Sequence, residues 1–265
     1  MLNSRFAERF RKSRRCFERD LNGHIAGLDG FRPRKGASDP NLAALLENGF
    51  VLLPRYYSEA TIKPLHDAAH AMLERVRTGQ VPDSWRTLDY GEDGIYRLLD
   101  CGAQLPAAKA ILENAYIRGL VDAYLNGTPV RAYAEYIDYK PDLKHDHTSV
   151  LHMDNWRSQP KVFTLLSDVG PHNAPMVYWS KTHRDAEWRR RFDFAFWSGD
   201  PVGINGQYPA GLLKERRAAD RSDGPREIPI TAPAGSVLIA DTRGVHRASC
   251  LIAGYRLEIV QKYAT

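Results

Sequence analysis

The sequence predicts a mainly β domain, of the sandwich or jelly-roll class, with helices packed on one side. Two observations lead to this prediction. Helical patterns occupy most of residues 1–128, whereas residues 129–265 contain short runs rich in β-branched and aromatic residues, separated by Gly, Pro and Asn. A length of 265 residues with 43% hydrophobic residues fits a single domain over residues 1–265 that buries a core of full size.

Residues 1–20 carry most of the net positive charge, because they contain seven Lys/Arg and three Asp/Glu within a chain of net charge +5. Phe6, Phe10, Phe17 and Leu21 recur at helical spacing, which predicts an amphipathic helix docked on the body of the protein. Binding to a partner or to a membrane surface is an alternative for this helix. Since the charge is local, the pI near 9.1 does not indicate a nucleic-acid partner.

Capping residues mark the elements that follow. Asp39 and Pro40 predict the start of a short helix that stops at Gly49, and FVLL then predicts a buried strand. Ser58 is the N-cap candidate of a longer helix, in which Pro64 should either cause a kink or mark a later start. Two more helices are predicted by PAAKAILEN and AYIRGLVDAYLN.

Seven runs predict the strands of the second part: VRAYAEYIDYK, SVLHMD, KVFTLLSDV, PMVYW, EIPITA, SVLIADT and YRLEIVQKY. Residues 184–226 interrupt them with a helical pattern and a loop rich in Gly, Pro and Arg. We expect this insertion to be more mobile than the strands when no substrate is bound. The aromatic residues of the insertion can be assigned one of three roles: they anchor it to the barrel, form a dimer contact, or form a lid over the site. These residues are Trp188, Phe192, Phe194, Phe196 and Trp197.

The cysteines exclude two kinds of site. Cys16, Cys101 and Cys250 are far apart and lack a CxxC spacing, so they fit neither a disulfide framework nor a zinc knuckle. No run approaches the roughly 18 apolar residues of a membrane helix, and charges stand where a signal peptide requires an apolar stretch. We therefore expect a cytoplasmic protein with reduced thiols and no membrane span.

The stretch LHMDNW contains His152 and Asp154, two residues apart. On a strand, residues i and i+2 point to the same face, so an imidazole and a carboxylate would lie side by side, which suits one metal ion. An HxD pair also occurs by chance on solvated strands. The third ligand candidate is His246, which follows the apolar run SVLIADT and lies 94 residues after His152.

Two histidines and one carboxylate leave three positions open on a metal ion, which is the arrangement of non-heme Fe(II) oxygenases. In such oxygenases a 2-oxo acid occupies two of these positions and dioxygen the third, while an arginine holds the distant carboxylate of the co-substrate. Arg256 begins the last predicted strand, ten residues after His246. We expect this strand to lie beside the one that carries His246.

Four blocks, spread over most of the chain, resemble the phytanoyl-CoA dioxygenase-like family of Fe(II)/2-oxoglutarate oxygenases. LLENGFVLLPRYYSEATIKPL resembles the opening of the family, and LHMDN resembles its WHxD segment. LLSDVGPHNAPMVYWSKTHR is similar to its TDV…NGP…PGSH stretch, and GSVLIADTRGVHRAS with YRLEIVQKY is similar to its closing strands. The chain departs from the pattern at Leu151, where Trp is common, at Ala174, where Gly is common, and in WSKTH, but no expected ligand is lost.

The resemblance implies a double-stranded β-helix, which is a cupin-like jelly roll with helices of the N-terminal part on one side. It implies Fe(II) bound by His152, Asp154 and His246, with 2-oxoglutarate and O2 as co-substrates. Arg256 would hold the distal carboxylate of 2-oxoglutarate, and Thr164 would supply an assisting hydroxyl. The candidates for the substrate side are Tyr136, Asn155, Trp156 and Trp197.

The reaction that the resemblance implies is oxidation of an aliphatic C–H bond of a small molecule, most simply hydroxylation, with release of succinate and CO2. Radical halogenases replace the carboxylate ligand with Gly or Ala. The presence of Asp154 therefore excludes this class of enzyme. Desaturation, ring closure and epimerisation use the same ligands and stay open. The alternatives are an AlkB-like nucleic-acid demethylase, whose second closing arginine is replaced here by Lys262, and a catalytically silent jelly-roll binding protein. An oligomer is compatible with the sequence.

Overall fold

The computed structural model describes residues 4–27, 39–90, 94–126, 131–141, 150–198 and 225–263. The helices within these ranges are α1 (Ser4–Gly27), α2 (Pro40–Asn48), α3 (Glu59–Arg77), α4 (Cys101–Gln104), α5 (Lys109–Leu112), α6 (Ala115–Tyr124) and α7 (Glu187–Trp197). The strands are β1 (Phe50–Leu53), β2 (Thr87–Tyr90), β3 (Ile95–Leu99), β4 (Ala134–Lys140), β5 (Pro160–Leu165), β6 (Met176–Trp179), β7 (Glu227–Ile230), β8 (Val237–Asp241), β9 (His246–Ala248) and β10 (Arg256–Lys262).

The strands form two antiparallel sheets. The larger sheet has seven strands in the order β1-β8-β5-β10-β4-β3-β2, and the smaller has three in the order β7-β6-β9. Apolar side chains of both sheets meet in one buried cluster between them, which includes Tyr136, Phe163, Tyr178, Ile230 and Leu238. The predicted mainly β core is therefore confirmed.

Side-chain alternation gives the larger sheet an inner and an outer face. In β10, Leu257 and Ile259 pack in the cluster that contains the buried residues of α3, whereas Val260 packs between the sheets. In β5 and β8, Val162 and Ile239 pack with residues of α2 and α6. The helices thus cover the outer face, as predicted, and the inner face is left for a site.

The ends of α2 follow the capping prediction. The Asp39 carboxylate accepts hydrogen bonds from the backbone N–H groups of Asn41 and Leu42, at 2.8 and 3.3 Å. Gly49 ends the helix with a φ of 84°, a conformation that an L side chain rarely adopts. A Cβ at this position would also lie 2.5 Å from Nδ1 of His183, so glycine permits the helix end to approach that imidazole.

Two details of the helical prediction are corrected. The helix that Ser58 caps begins at Glu59 and continues through Pro64, so Pro64 does not mark a later start. PAAKAILEN does not form one helix, because Pro106–Ala108 is a 3-10 turn and only Lys109–Leu112 is α-helical. The run AYIRGLVDAYLN forms α6, as predicted.

The N-terminal part also contributes three strands to the larger sheet, and the sequence patterns predict only one of them. Strand β2 lies at the edge of the sheet and three of its four residues are exposed, so it lacks the apolar alternation that marks a half-buried strand. Conversely, SVLHMD does not form the predicted strand over residues 150–154. His152 forms an isolated bridge with His246 there.

Helix α1 docks on the body through Phe17 and Leu21, which are 2% and 1% exposed, so the predicted docking is confirmed for these residues. The ring of Phe17 lies 5.4 Å from that of Phe194 and 5.9 Å from that of Trp197, both in α7. These two aromatic residues of the insertion therefore act as anchors. Most of the insertion, residues 199–224, lies outside the described residues. No described helix is long and apolar enough to cross a membrane.

Two histidines that pack in this framework are held neutral. Burial lowers the pKa of His183 to about 3, and burial together with the nearby Arg243 lowers the pKa of His24 to about 4. His183 lies behind α2, where its Nε2–H donates to the backbone oxygen of Leu46 at 3.1 Å. His24 Nε2 accepts a hydrogen bond from the backbone N–H of Ser158 at 2.8 Å.

We predict that His183 makes the free energy of unfolding decrease as the pH falls from about 6.5 to about 3. The unfolded state takes up a proton below the ordinary histidine pKa of about 6.5, whereas folded His183 does not, so its contribution is complete above pH 6.5 and is lost below it. Urea unfolding at several pH values measures this slope. In His183→Gln the slope of the free energy of unfolding against pH should be lower by up to about 1.4 kcal/mol per pH unit. A slope equal to that of the wild type would contradict the assignment.

Candidate metal centre

Three predicted ligands converge on one point. The potential donor atoms of His152, Asp154 and His246 all lie within 4.8 Å of one another. Nε2 of His152 is 3.8 Å from Oδ1 of Asp154, and Nε2 of His246 is 3.7 Å from its Oδ2. The two imidazole centroids are 4.3 Å apart. The structure thus brings together the three residues that the sequence spacing selected.

Backbone hydrogen bonds hold the two ligand segments in register. His152 and His246 exchange N–H···O bonds of 2.9 Å in both directions, which is an antiparallel bridge between segments 94 residues apart. The N–H of Asp154 donates to the backbone oxygen of Thr242 at 2.9 Å. The side-by-side arrangement of His152 and Asp154 therefore comes from this bridge and not from a continuous strand.

Each histidine presents Nε2 toward the centre. Nδ1 of His152 lies 2.8 Å from the oxygen of Val150, and Nδ1 of His246 lies 2.9 Å from the oxygen of Gly244. A carbonyl oxygen only accepts, so Nδ1 carries the hydrogen in both rings and Nε2 keeps its lone pair. Burial and the adjacent His152 lower the pKa of His246 to about 3. A neutral imidazole is the form that binds a metal.

Asp154 completes the donor set. Burial alone would raise its pKa, but the charge of Lys161 and the adjacent imidazoles outweigh burial and hold the pKa well below its usual range. Lys161 Nζ lies 2.5 Å from Oδ2 of Asp154. Apart from this ion pair, Oδ2 accepts no hydrogen bond from the residues that the structure describes. Two imidazole Nε2 atoms and an ionised carboxylate fit a divalent metal such as Fe(II).

A buried carboxylate, that of Asp241, fixes the two ligand segments to each other. Its Oδ1 accepts from the backbone N–H groups of Gln159 at 2.8 Å and Arg243 at 3.0 Å. Its Oδ2 accepts from the hydroxyls of Tyr124 at 2.6 Å and Ser158 at 2.5 Å. Because Ser158 and Gln159 follow Asp154 while Arg243 precedes His246, one side chain aligns both segments. Tyr124 adds α6 to the same network.

The turn between β8 and β9 requires a small residue beside Tyr178. The hydroxyl of Tyr178 donates to the backbone oxygen of Asp241 at 2.8 Å. A Cβ on Gly244 would lie 1.8 Å from that hydroxyl oxygen, so only glycine leaves room for it. The oxygen of Gly244 is also the one that orients the ring of His246.

Helix α7 is joined to the same turn by a buried ion network. Asp193 pairs with Arg189 at 2.9 Å and with Arg243 at 3.0 Å, and all three side chains are fully buried. Nη2 of Arg189 donates to the backbone oxygen of Arg243 at 3.0 Å, and Nε of Arg243 donates to that of Trp156 at 2.8 Å. The start of the insertion is therefore part of the support of the centre.

Arg256 lies on the inner face of the larger sheet, next to a carboxylate that the sequence analysis did not consider. Its guanidinium donates to Oε1 of Glu258 and to the backbone oxygen of Ala174, and Arg256 and Glu258 are 6% and 2% exposed. Ala174 has a φ of 53°, which agrees with glycine being common there. The expected strand adjacency is wrong, because β10 pairs with β4 and β5, whereas the strand of His246 pairs with β6.

Thr164 is not brought to the site. Along β5, Phe163 packs between the sheets and Val162 packs toward the helices, so alternation places Thr164 on the outer face with Val162. The inner-face residue at the end of β5 near the centre is Lys161, which the sequence analysis missed. Strand alternation could have identified Lys161, because it lies two residues before Phe163 on β5 and therefore points to the same face. There it contacts Asp154.

The four substrate-side candidates have different surroundings. The ring of Tyr136 lies on the inner face and packs in the cluster between the sheets. Asn155 accepts a hydrogen bond from the backbone N–H of Arg157 in a turn, at 3.2 Å. Trp156 and Trp197 pack with Phe17 of α1, which places both rings in a helix interface.

Comparison with solved structures gives the fold. The chain is similar to the epimerase SnoN, crystallised with Fe3+, alpha ketoglutarate and nogalamycin RO, with 16% identity, 84% of this chain and 81% of SnoN covered, and a TM-score of 0.59. It is similar to EctD from S. alaskensis, crystallised with 2-oxoglutarate and 5-hydroxyectoine, with 18% identity, coverages of 88% and 79%, and a TM-score of 0.64. The chain shares their jelly-roll fold.

A third similar structure is the non-heme alpha ketoglutarate dependent carbocyclase SnoK from nogalamycin biosynthesis, with 20% identity, coverages of 86% and 84%, and a TM-score of 0.57. No protein-family model and no curated protein matches the chain. The predicted double-stranded β-helix is confirmed at the level of the fold, and the resemblance to the phytanoyl-CoA dioxygenase-like family stays a prediction.

We predict that Asp241→Asn lowers the free energy of unfolding by about 1–3 kcal/mol. The amide nitrogen replaces an oxygen that accepts two hydrogen bonds, and the buried network loses its charge-assisted bonds. Urea unfolding at pH 7 measures the change. The matched control is Asp67→Asn, which removes an exposed pair with Lys63 and should change stability by less than about 0.5 kcal/mol. Equal effects of the two substitutions would show that Asp241 does not organise the ligand segments.

Proposed function

We propose that this chain is a non-heme Fe(II)/2-oxoglutarate-dependent oxygenase that oxidises an aliphatic C–H bond of a small molecule. The observation that carries the proposal is the convergence of His152, Asp154 and His246 within a jelly roll. Support also comes from SnoN and EctD, which share the fold and were crystallised with iron and with 2-oxoglutarate or alpha ketoglutarate. Release of succinate and CO2 is part of the proposal.

The chain would hold Fe(II) through Nε2 of His152, Nε2 of His246 and a carboxylate oxygen of Asp154. Bound iron and 2-oxoglutarate supply the oxidising power that attacks an unactivated C–H bond. Hydrogen bonds from each Nδ1 to a backbone oxygen keep the two rings aimed at the metal. Lys161 balances the charge of Asp154 and keeps it ionised. The apolar cluster between the sheets restricts water on the inner face.

Arg256 would bind the distal carboxylate of 2-oxoglutarate on the same inner face. A guanidinium offers donors in a planar fork that matches a carboxylate, and its burial strengthens that pair. Glu258 already contacts this guanidinium. The co-substrate carboxylate would therefore either share Arg256 with the carboxylate of Glu258 or displace Glu258 from it. Glu258 therefore orients the arginine but also opposes a second negative charge.

We propose hydroxylation as the outcome. The same set of two histidines and one aspartate can also serve desaturation, ring closure and epimerisation. Asp154 occupies the position that radical halogenases leave open. The similar structures include an epimerase and a carbocyclase, so the fold by itself does not select the outcome. The mass of a product separates the outcomes: hydroxylation adds one oxygen atom, desaturation or ring closure removes two hydrogen atoms, and epimerisation leaves the mass unchanged.

The decisive experiment is the formation of succinate from 2-oxoglutarate by the purified protein with Fe(II) and O2. A library of small molecules, screened for compounds that stimulate succinate formation, would identify the substrate class. A protein that binds Fe(II) and 2-oxoglutarate but forms no succinate with any compound would favour the silent binding protein. Stimulation by methylated single-stranded DNA would favour the AlkB-like alternative.

We predict that Asp154→Ala lowers the affinity for Mn(II), used as a stable surrogate of Fe(II), by at least about 100-fold. The change removes one of three ligands, and loss of even a supporting residue around a metal costs about 10- to 100-fold. Calorimetric titration of Mn(II) measures the affinity, and circular dichroism confirms the fold. Asp138→Asn, a buried carboxylate of the same inner face, is the control and should retain Mn(II) binding. Unchanged affinity in Asp154→Ala would exclude this centre.

We predict that Arg256→Ala raises the KM for 2-oxoglutarate by about 30- to 150-fold, since a charge-assisted bidentate pair contributes about 2–3 kcal/mol. Arg256→Lys should give a smaller rise because it keeps the charge but loses the fork. Mn(II) affinity should stay within about threefold of the wild type, because the guanidinium is not one of the ligands. Succinate assays and Mn(II) titration measure the two quantities.

Removal of Arg256 leaves Glu258 buried without its partner, which destabilises a protein by about 3–5 kcal/mol. The variant Arg256→Gln with Glu258→Gln removes both charges and serves as a control for folding. Its KM for 2-oxoglutarate should be raised like that of Arg256→Ala. A KM equal to that of the wild type in this double variant would mean that another cation holds the co-substrate.

A further inference from the structure

A second group of cations lies on the inner face, apart from Arg256. Lys262 is at the end of β10, directly opposite Lys161 in β5, which contacts Asp154. Arg256 is at the other end of β10, six residues away, which corresponds to about 20 Å along a strand. Because residues of equal parity share a face, Lys262 lies on the inner face beside the metal centre, with Arg256 at the far end.

The ring of Tyr136 joins Lys262 to a further cation. Nζ of Lys262 is 5.3 Å from the centroid of Tyr136, and the guanidinium carbon of Arg97 is 4.9 Å from the same centroid. Arg97 also lies over the ring of Tyr90 at 5.2 Å, and Tyr90 is 38% exposed. The group therefore extends from the metal centre toward the surface as alternating cations and tyrosine rings.

The charges of this region are not balanced. Lys161 pairs with Asp154, Arg97 pairs with Asp138 at 2.8 Å, and Arg256 pairs with Glu258. Among the described residues, Lys262 has no carboxylate oxygen within 4.0 Å; its ammonium lies over the ring of Tyr136, and Asp154 and Asp138 act on it only from a greater distance. Burial and the charge of Lys161 lower the pKa of Lys262 to about 8, so the amine is still mostly protonated at pH 7.

We propose that Lys262, with Arg97 beside it, binds an anionic group of the primary substrate, a carboxylate or a phosphate. The inference rests on the proposed function, which it extends by naming the substrate class. A half-buried ammonium beside two other cations is unfavourable, and an anionic group beside Lys262 would relieve the repulsion from Lys161 and Arg97. The rest of the molecule would lie between Tyr136 and the three ligands.

Sulfate is the probe, because it carries the charge and the oxygen acceptors without a reactive group. Titrated into metal-free protein at pH 7, it should bind the wild type and bind Lys262→Met about tenfold more weakly or worse, since one charge-assisted hydrogen bond contributes about that factor. Lys262→Arg should retain affinity within about threefold. Lys63→Met, which removes an exposed lysine of α3, is the matched control and should bind sulfate like the wild type.

The same titration, repeated with Mn(II) and saturating 2-oxoglutarate, shows whether Lys262 binds an anionic group of the primary substrate or a carboxylate of the co-substrate. Sulfate binding that persists under these conditions, with a 2-oxoglutarate affinity unchanged in Lys262→Met, supports a substrate site. Competition between sulfate and 2-oxoglutarate, with equal losses of both in Lys262→Met, would assign Lys262 to the co-substrate and overturn the proposal. Equal sulfate affinity in the wild type and Lys262→Met would also overturn it. Failure of succinate formation would refute the oxygenase function. The metal-free titration measures sulfate binding at Lys262 and does not depend on that function.

Discussion

The carboxylate of Asp241 is the point on which the candidate centre depends. It lies fully buried at the end of β8 and satisfies donors from α6, from the segment after Asp154 and from the turn before His246. The segment after Asp154 and the turn before His246 lie outside the strands, so they keep fixed positions only if their backbone polar groups are paired. Asp241 supplies the acceptors that the segments lack, and the bridge between His152 and His246 completes the pairing.

Charge pairing organises the inner face of the larger sheet. Three buried or half-buried carboxylates, Asp138, Asp154 and Glu258, each contact a cation. Isolated charges are costly in such an environment, so each carboxylate requires its partner for the fold to persist. A dianionic co-substrate and a divalent metal would enter together without changing the net charge of this face. In the proposed function, the electrostatic arrangement that stabilises the fold without ligands would also recognise them.

Caps and candidate ligands could be predicted from the sequence, and strand pairing could not. The caps at Asp39 and Ser58 depend on short spacings, and the three candidate ligands were selected by residue type and by the pattern around them; the structure places the caps as expected and brings the three residues together. The exposed edge strand β2 and the pairing of β10 depend on which strands become neighbours. One sequence contains little information on such pairing, because strand propensity reflects tertiary context. Lys161 could have been found from strand parity alone.

The bridge between His152 and His246 also has a consequence for folding kinetics. It joins positions 94 residues apart, and contacts of such high sequence separation form slowly because a long loop must close first. Helices α2 and α3 can form from their own caps, whereas the three donor atoms meet only after β9 has joined the smaller sheet. Partly folded chains would therefore contain helices before the three candidate ligands have met. In the proposed oxygenase, iron would bind only after β9 has paired with the smaller sheet.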